Sequence, residues 1–126
     1  MSENTVDGLL KQFDKQYGEG VVHAGDEVED FPRFSTGLFS MDLALGGGLP
    51  KGHMTQIYGK QDSGKSLLVY KMIATHQQQF PEETCILVDI EDNYETKWAE
   101  KIGINVKKLV VLSPEHTAQA IDMIEK

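Results

Sequence analysis

The chain has 126 residues, 40% of them hydrophobic and 25% charged, which is typical of one globular domain at most. No apolar run approaches the ~20 residues that span a bilayer, and the first four residues lack the features of a signal peptide, so we expect a cytoplasmic protein with no membrane partner. The net charge of −8 argues against DNA binding through the overall field of the chain, although a local basic track is compatible with it.

The chain begins with a predicted amphipathic helix over residues 5–17, for which Asn4 or Thr5 is the candidate N-cap. Its apolar face carries Val6, Leu9, Leu10, Phe13 and Tyr17. A glycine-containing turn, a short apolar strand at Val21 and Val22, and an acidic link follow. Residues 1–30 are therefore predicted to form a helix-strand arm on a tether, which packs either on its own domain or on a neighbouring subunit.

A short helix is predicted at residues 40–45, with Ser40 as its N-cap, and the glycine-rich residues 46–52 end it. Residues 53–58 then alternate partly apolar side chains, which predicts a strand. This strand leads into G-K-Q-D-S-G-K-S at residues 59–66, which fits the phosphate-loop pattern G-x-x-x-x-G-K-[ST]. Apolar residues at helical spacing follow in residues 67–74, so the motif has the strand and the helix that it requires.

Each specified residue of this loop has a chemical role. Gly59 and Gly64 lack a Cβ, so the backbone can turn tightly and point its N–H groups at an anion. The N-terminus of the next helix adds unpaired N–H groups and a partial positive charge. Lys65 should reach the β- and γ-phosphates of a nucleotide, and the Ser66 hydroxyl should ligate Mg²⁺. The alternative is an ordinary glycine turn, which has no use for a cation at the positive end of a helix.

A second strand is predicted at residues 84–89 and contains Cys85, the only cysteine. We interpret Cys85 as a small buried hydrophobe, and the four scattered histidines lack the spacing of a zinc site. Three carboxylates follow at the end of the strand: Asp89, Glu91 and Asp92. Glu91 lies just past the strand, where it can face a cleft, so we predict that it orients or deprotonates the water that attacks the γ-phosphate. A solvated acidic turn is the alternative.

The remaining pattern predicts a helix at residues 94–101, a third strand at residues 109–112 and a last helix capped by Ser113. Alternating strands and helices predict an α/β fold with a parallel sheet flanked by helices. Right-handed crossovers place the carboxyl ends of the strands at one edge, so the phosphate loop and Glu91 should meet there.

Taken together, the residues resemble the RecA family of ATP-dependent DNA recombinases from about residue 6 to the end of the chain. The most specific stretch is S-T-G-L-F-S-M-D-L-A-L-G-G-G-L-P at residues 35–50. The phosphate loop, V-D-I-E at residues 88–91 and W-A-E-K-I-G at residues 98–103 extend the similarity. The resemblance implies that residues 31–126 are the N-terminal portion of a RecA-like P-loop ATPase core, incomplete because relatives continue well beyond it.

The resemblance also assigns roles to individual residues, with ATP and Mg²⁺ as the ligands. The residues implied to surround the phosphates are Gly59, Lys60, Gln61, Asp62, Ser63, Gly64, Lys65, Ser66 and Leu67, with Ser66 on the metal. Glu91 aligns with the glutamate that activates the attacking water. Glu95 and Trp98 stand where bacterial members have an aspartate and a tyrosine against the adenine, and Trp98 can still stack on a purine.

For partners, the resemblance implies a homo-oligomeric filament on single-stranded DNA, assembled through residues 1–30, that pairs with homologous double-stranded DNA. Two alternatives remain open on sequence. One is a ring-forming helicase or clock-type ATPase on the same core; the other is a non-catalytic nucleotide-binding adaptor that docks on a full-length recombinase. We expect the chain to be an N-terminal fragment of the recombinase.

Overall fold

The computed structural model describes residues 5–26 and 30–125. The chain divides into two compact units, Met1–Pro32 and Arg33–Lys126. In the described parts of the chain, no helix is both long enough and apolar enough to cross a membrane.

The described part of the first unit contains one helix, α1 (Val6–Tyr17). Thr5 caps it, because its Oγ1 accepts a hydrogen bond from the Gly8 N–H at 3.3 Å. The predicted helix is thus confirmed, and the other candidate cap, Asn4, lies outside the described residues. The predicted strand at Val21 and Val22 is wrong: the segment is irregular, since no described neighbour supplies the hydrogen bonds that a strand needs.

The second unit opens with a small antiparallel pair, β1 (Arg33–Phe34) and β2 (Leu49–Pro50), in which Phe34 lies opposite Leu49. Helix α2 (Phe39–Ala44) lies between the two strands in sequence. The helix begins one residue earlier than predicted, and Ser40 is not its cap. A network of hydrogen bonds to the Asp42 carboxylate holds the start of α2 instead.

In that network the Asp42 carboxylate accepts hydrogen bonds from the Ser35 hydroxyl, from the Thr36 N–H at 2.8 Å and from the Thr36 hydroxyl at 2.7 Å. Thr36 is completely buried. The S-T-G segment is therefore folded onto the first turn of α2, which gives the polar residues of this stretch a structural role.

Residues 53–58 form no strand, which corrects the prediction for the segment before the phosphate loop. They are irregular and largely exposed, with Met54 98% and Tyr58 88% accessible. An alternating pattern gives a strand only when a neighbouring strand satisfies its backbone groups, and no described segment pairs with this one.

The rest of the unit is a helix-flanked parallel pair. Helix α3 (Lys65–Gln79) precedes β3 (Cys85–Val88), and α4 (Thr96–Ile102) precedes β4 (Leu109–Leu112). Strands β3 and β4 are parallel, with Cys85 opposite Leu109. The α/β class is thus present, but the parallel sheet of the described residues has two strands and not the predicted three.

The chain ends in α5 (Thr117–Glu125), which starts four residues after the predicted cap. Ser113 does not cap it, because it lies four residues before the helix begins. In the intervening turn the Gln119 side chain accepts a hydrogen bond from the Glu115 N–H at 2.8 Å.

The main core lies between α3 and α4 and contains Tyr70, Ala74, Ala99 and Ile104. The Gln77 side chain fastens α3 to the loop after α4: its amide donates to the Asn105 carbonyl at 3.1 Å and accepts from the Asn105 N–H at 2.9 Å. This packing fixes α3 beside the strands and so positions the loop at its N-terminus.

Candidate functional site

The phosphate-loop segment runs directly into α3, whose first residue is Lys65. Gly64 has φ 91°, a left-handed conformation that glycine adopts readily and most other residues do not. No side chain caps this end of the helix among the described residues. The N–H groups of the first turn are therefore available to an anion, as the sequence pattern requires.

Lys65 folds back over its own loop. Its Nζ donates to the Gly59 carbonyl at 3.0 Å and to the Lys60 carbonyl at 2.7 Å. These two bonds hold the ammonium against the backbone of the loop. A phosphate group would compete for the same hydrogens with a full negative charge, which makes the stronger, charge-assisted bond.

The loop forms one wall of a cavity of about 870 Å³. Among the sequence-predicted residues, Gln61, Asp62, Lys65, Ser66, Glu91, Glu95 and Trp98 line it. Gly59, Lys60, Ser63, Gly64 and Leu67 do not line the cavity, and Leu67 is 49% exposed. The volume suits a nucleotide-sized ligand.

The carboxylates after β3 differ in what they contact. Asp89 continues the strand through its N–H, which donates to the Leu112 carbonyl at 2.9 Å, and its carboxylate accepts from the Tyr94 N–H at 2.7 Å. Asp92 has φ 55° and reverses the chain. Glu91 is exposed, lines the cavity and accepts one hydrogen bond at 3.0 Å, from the Asn93 side chain. Asp89 and Glu91 both line the cavity, and the Asp89 carboxylate also holds the turn through its bond to the Tyr94 N–H.

The carboxylate and hydroxyl oxygens at the cavity suit Mg²⁺, which typically takes one or two protein ligands and completes its shell with water and substrate phosphates. No group of three His, Cys, Asp or Glu side chains in the described ranges could hold a metal by itself. The Ser66 hydroxyl lines the cavity and is an oxygen donor that could hold such an ion together with nucleotide phosphates.

Aromatic side chains form another part of the cavity lining, the aromatic wall. Trp98 is 38% exposed on α4, and its ring centroid lies 5.2 Å from that of Tyr70, which also lines the cavity. Tyr94 lies 6.2 Å from Tyr70 on another side. Burial and the negative charge of Asp89 raise the pKa of the Tyr70 hydroxyl, so it stays protonated at neutral pH.

Sequence reasoning missed Tyr70, Tyr94 and Asn93. A signal for Tyr70 was present: it follows Ser66 by four residues, and this spacing places two side chains on the same helix face. Tyr94 and Asn93 gave no comparable signal, because their positions depend on how the turn after β3 folds.

Comparison with known proteins decides the family. The family described as RecA N-terminal domain matches residues 4–126. The chain belongs to the RecA family. Protein RecA of Teredinibacter turnerae is 40% identical over an alignment of 126 positions that covers 98% of this chain and 36% of that protein. Protein RecA of Marinobacter nauticus is 41% identical over 98% of this chain and 36% of its own length. Protein RecA of Desulfotalea psychrophila is 39% identical over 96% and 34% respectively.

The chain thus spans about a third of the length of the curated RecA proteins that it matches. The matched region is the N-terminal domain of the RecA family, and it includes both the cavity and α1.

Proposed function

We propose that this chain is the nucleotide-binding N-terminal part of an ATP-dependent DNA recombinase. One observation carries the proposal: Lys65 and Ser66 at the start of α3 and Glu91 after β3 line the same cavity. These are the groups that phosphoryl transfer to water needs, namely a cation for the phosphates, a metal ligand and a base for the nucleophile. In the whole protein, residues 53–58 and strands β3 and β4 would belong to a larger parallel sheet of the P-loop NTPase type.

In this proposal, each site residue has one task. The backbone from Gly59 to Leu67 surrounds the triphosphate, and Lys65 exchanges its two loop carbonyls for phosphate oxygens. Ser66 ligates Mg²⁺, which neutralises the charge that develops on the phosphates. Glu91 orients or deprotonates the attacking water. Glu95 and Trp98 contact the adenine.

Family membership supports a proposal for assembly and for the DNA partners. Residues 1–30 would dock on the next protomer of a filament, and the exposed apolar face of α1 supports this, since Val6 is 64% and Tyr17 58% accessible. Residues 31–126 would be the ATPase core portion. ATP would stabilise the filament on single-stranded DNA, which then pairs with a homologous duplex, in a cytoplasmic setting.

Titration of the chain with ATP and Mg²⁺ tests the proposal, with Lys65→Ala and Lys60→Ala as matched variants. Each variant removes one positive charge from the loop, but only the Lys65 side chain lines the cavity. We expect Lys65→Ala to lose roughly 1.5–3 kcal/mol of binding free energy, a 10- to 150-fold weaker affinity, and Lys60→Ala to change it less than threefold. Equal losses in the two variants, or no binding by the folded wild type, would contradict the assignment.

The match over residues 4–126 favours a recombinase over a ring-forming ATPase on the same core. Electron microscopy of the whole protein with ATP and single-stranded DNA separates the two, because the recombinase forms filaments and the alternative forms closed rings. Glu91→Gln separates the recombinase from a non-catalytic adaptor: it should abolish turnover by the whole protein while leaving ATP binding intact, whereas an adaptor shows no turnover in the wild type.

A further inference from the structure

Tyr70 lines the candidate nucleotide site and contacts Trp98. It belongs to the same helix as Lys65 and Ser66, one turn further along, and is only 7% exposed. Its ring is inclined at 53° to the Trp98 ring, with the centroids 5.2 Å apart. Tyr70 therefore links α3, the helix that begins with Lys65, to the Trp98 ring.

The Trp98 ring contacts the Tyr70 ring, lines the cavity and keeps 38% of its surface exposed. Tyr70 in turn contacts Tyr94, with the ring centroids 6.2 Å apart, and belongs to the same core cluster as Ala74 and Ala99. Rings in such inclined contact prefer particular relative orientations, whereas an aliphatic side chain at position 70 would let the indole tilt. The position of the indole relative to the phosphate loop thus depends on Tyr70.

We propose that Tyr70 is a positioning residue that holds the Trp98 indole at a fixed place against the base of the nucleotide, and that it thereby sets a preference for purine over pyrimidine triphosphates. This inference rests on the proposed function. A purine offers two fused rings to the indole and a pyrimidine offers one, so a correctly placed indole gains more from the purine. Tyr70 acts only through Trp98 and has no part in binding the phosphates.

The experiment compares ATP, UTP and inorganic tripolyphosphate, each with Mg²⁺, on the wild type, Tyr70→Phe and Tyr70→Leu. Trp98 is the only tryptophan in the chain, so its fluorescence reports directly on ligands that reach the aromatic wall. Tripolyphosphate carries the phosphate part without a base. We expect Tyr70→Leu to weaken ATP binding roughly 3- to 10-fold, to bring the ATP-to-UTP affinity ratio close to one and to leave tripolyphosphate affinity unchanged. Tyr70→Phe keeps the ring and should match the wild type within about twofold.

A uniform loss of affinity for all three ligands in Tyr70→Leu would mean that Tyr70 merely supports the fold, and would overturn the inference. An unchanged ATP-to-UTP ratio would do the same. If circular dichroism shows that Tyr70→Leu is unfolded, Tyr70→Met, which fills a similar volume without a ring, replaces it with the same expected results. Failure of the proposed function looks different, because the wild type would then bind neither tripolyphosphate nor ATP.

Discussion

Gly48 connects α2 to β2 at a point where the chain passes directly over Phe34. Its φ is 114°, and a Cβ at this position would lie 2.1 Å from the Phe34 carbonyl oxygen. That oxygen belongs to the backbone, so it cannot rotate away. The Gly48 carbonyl in turn accepts a hydrogen bond from the Arg33 guanidinium at 2.9 Å. The close approach therefore fixes how the two short strands β1 and β2 meet.

This contact predicts that Gly48→Ala destabilises the protein far more than Gly46→Ala. Gly46 also has positive φ, 68°, but nothing lies within 4 Å of a Cβ there, so alanine costs only the left-handed backbone penalty of about 1 kcal/mol. At Gly48 the steric overlap adds to that penalty, and we expect a loss of about 3 kcal/mol or more in the free energy of unfolding. Urea denaturation measures both variants, and similar losses in the two would contradict the prediction.

At the scale of secondary-structure elements, the sequence predicted those features that consecutive residues carry. Helix α1 with its Thr5 cap, the start of α3 after Gly64, and strand β4 all follow from local spacing and capping. Helix α4 is followed by Gly103 with φ 105°, a conformation typical of the glycine that ends a helix. Such signals can be read without knowing which segments meet in space.

The missed features depend on contacts between separated segments. Residues 53–58 have the pattern of a strand but no described partner, and pattern alone does not supply backbone hydrogen bonds. Tyr70 lines the candidate site next to Trp98, a contact that depends on how α4 packs against α3. Likewise, topology rules predicted that the phosphate loop and Glu91 lie close together. Such rules could not predict the hydrogen bonds of Lys65 to the carbonyls of its own loop.

The start of α2 is held by the Asp42 carboxylate, which gives this element a dependence on pH. Hydrogen bonds from the Ser35 hydroxyl, and then from the Thr36 hydroxyl and N–H, hold the pKa of Asp42 below its ordinary value because they favour the charged form. A folded-state pKa below the unfolded value of about 3.9 means that the stabilisation is fully present above about pH 4. It is lost as the pH falls through the folded-state pKa.

Ser35→Ala tests this linkage without removing the carboxylate. The variant lacks the hydrogen bond that lowers the Asp42 pKa most, so it should melt below the wild type at pH 7. The difference should shrink as the pH is lowered from about 4 through the folded-state pKa of Asp42, since the carboxyl then becomes protonated in both proteins. Melting curves by circular dichroism across this range measure it. A difference that stays constant with pH would show that Ser35 stabilises α2 independently of the Asp42 charge.

At the scale of the whole molecule, the chain combines a local cation in the candidate phosphate loop with a strongly acidic total charge. In the proposed function, Lys65 and the helix N-terminus would act over a few ångströms at the cavity, where a bound triphosphate would meet them directly. The net charge of −8 acts at longer range and repels a polyanion. Nucleotide binding would therefore use a local positive charge, whereas the net negative charge of the chain opposes DNA binding.

We accordingly predict that the chain binds ATP with Mg²⁺ but holds single-stranded DNA only weakly, with a Kd above roughly 10 μM at physiological salt. Nonspecific DNA affinity comes from lysines and arginines that release counterions, and here 20 acidic residues outnumber 12 basic ones. Fluorescence anisotropy of a labelled oligothymidylate, with and without ATP, measures the affinity for DNA. Lys65→Ala serves as the control, because it should reduce nucleotide binding and leave DNA binding unchanged. Submicromolar DNA binding with a steep salt dependence would contradict the prediction and would place a basic track within these residues. Weak binding would instead assign DNA contact, in the proposed recombinase, to parts of the protein beyond this domain.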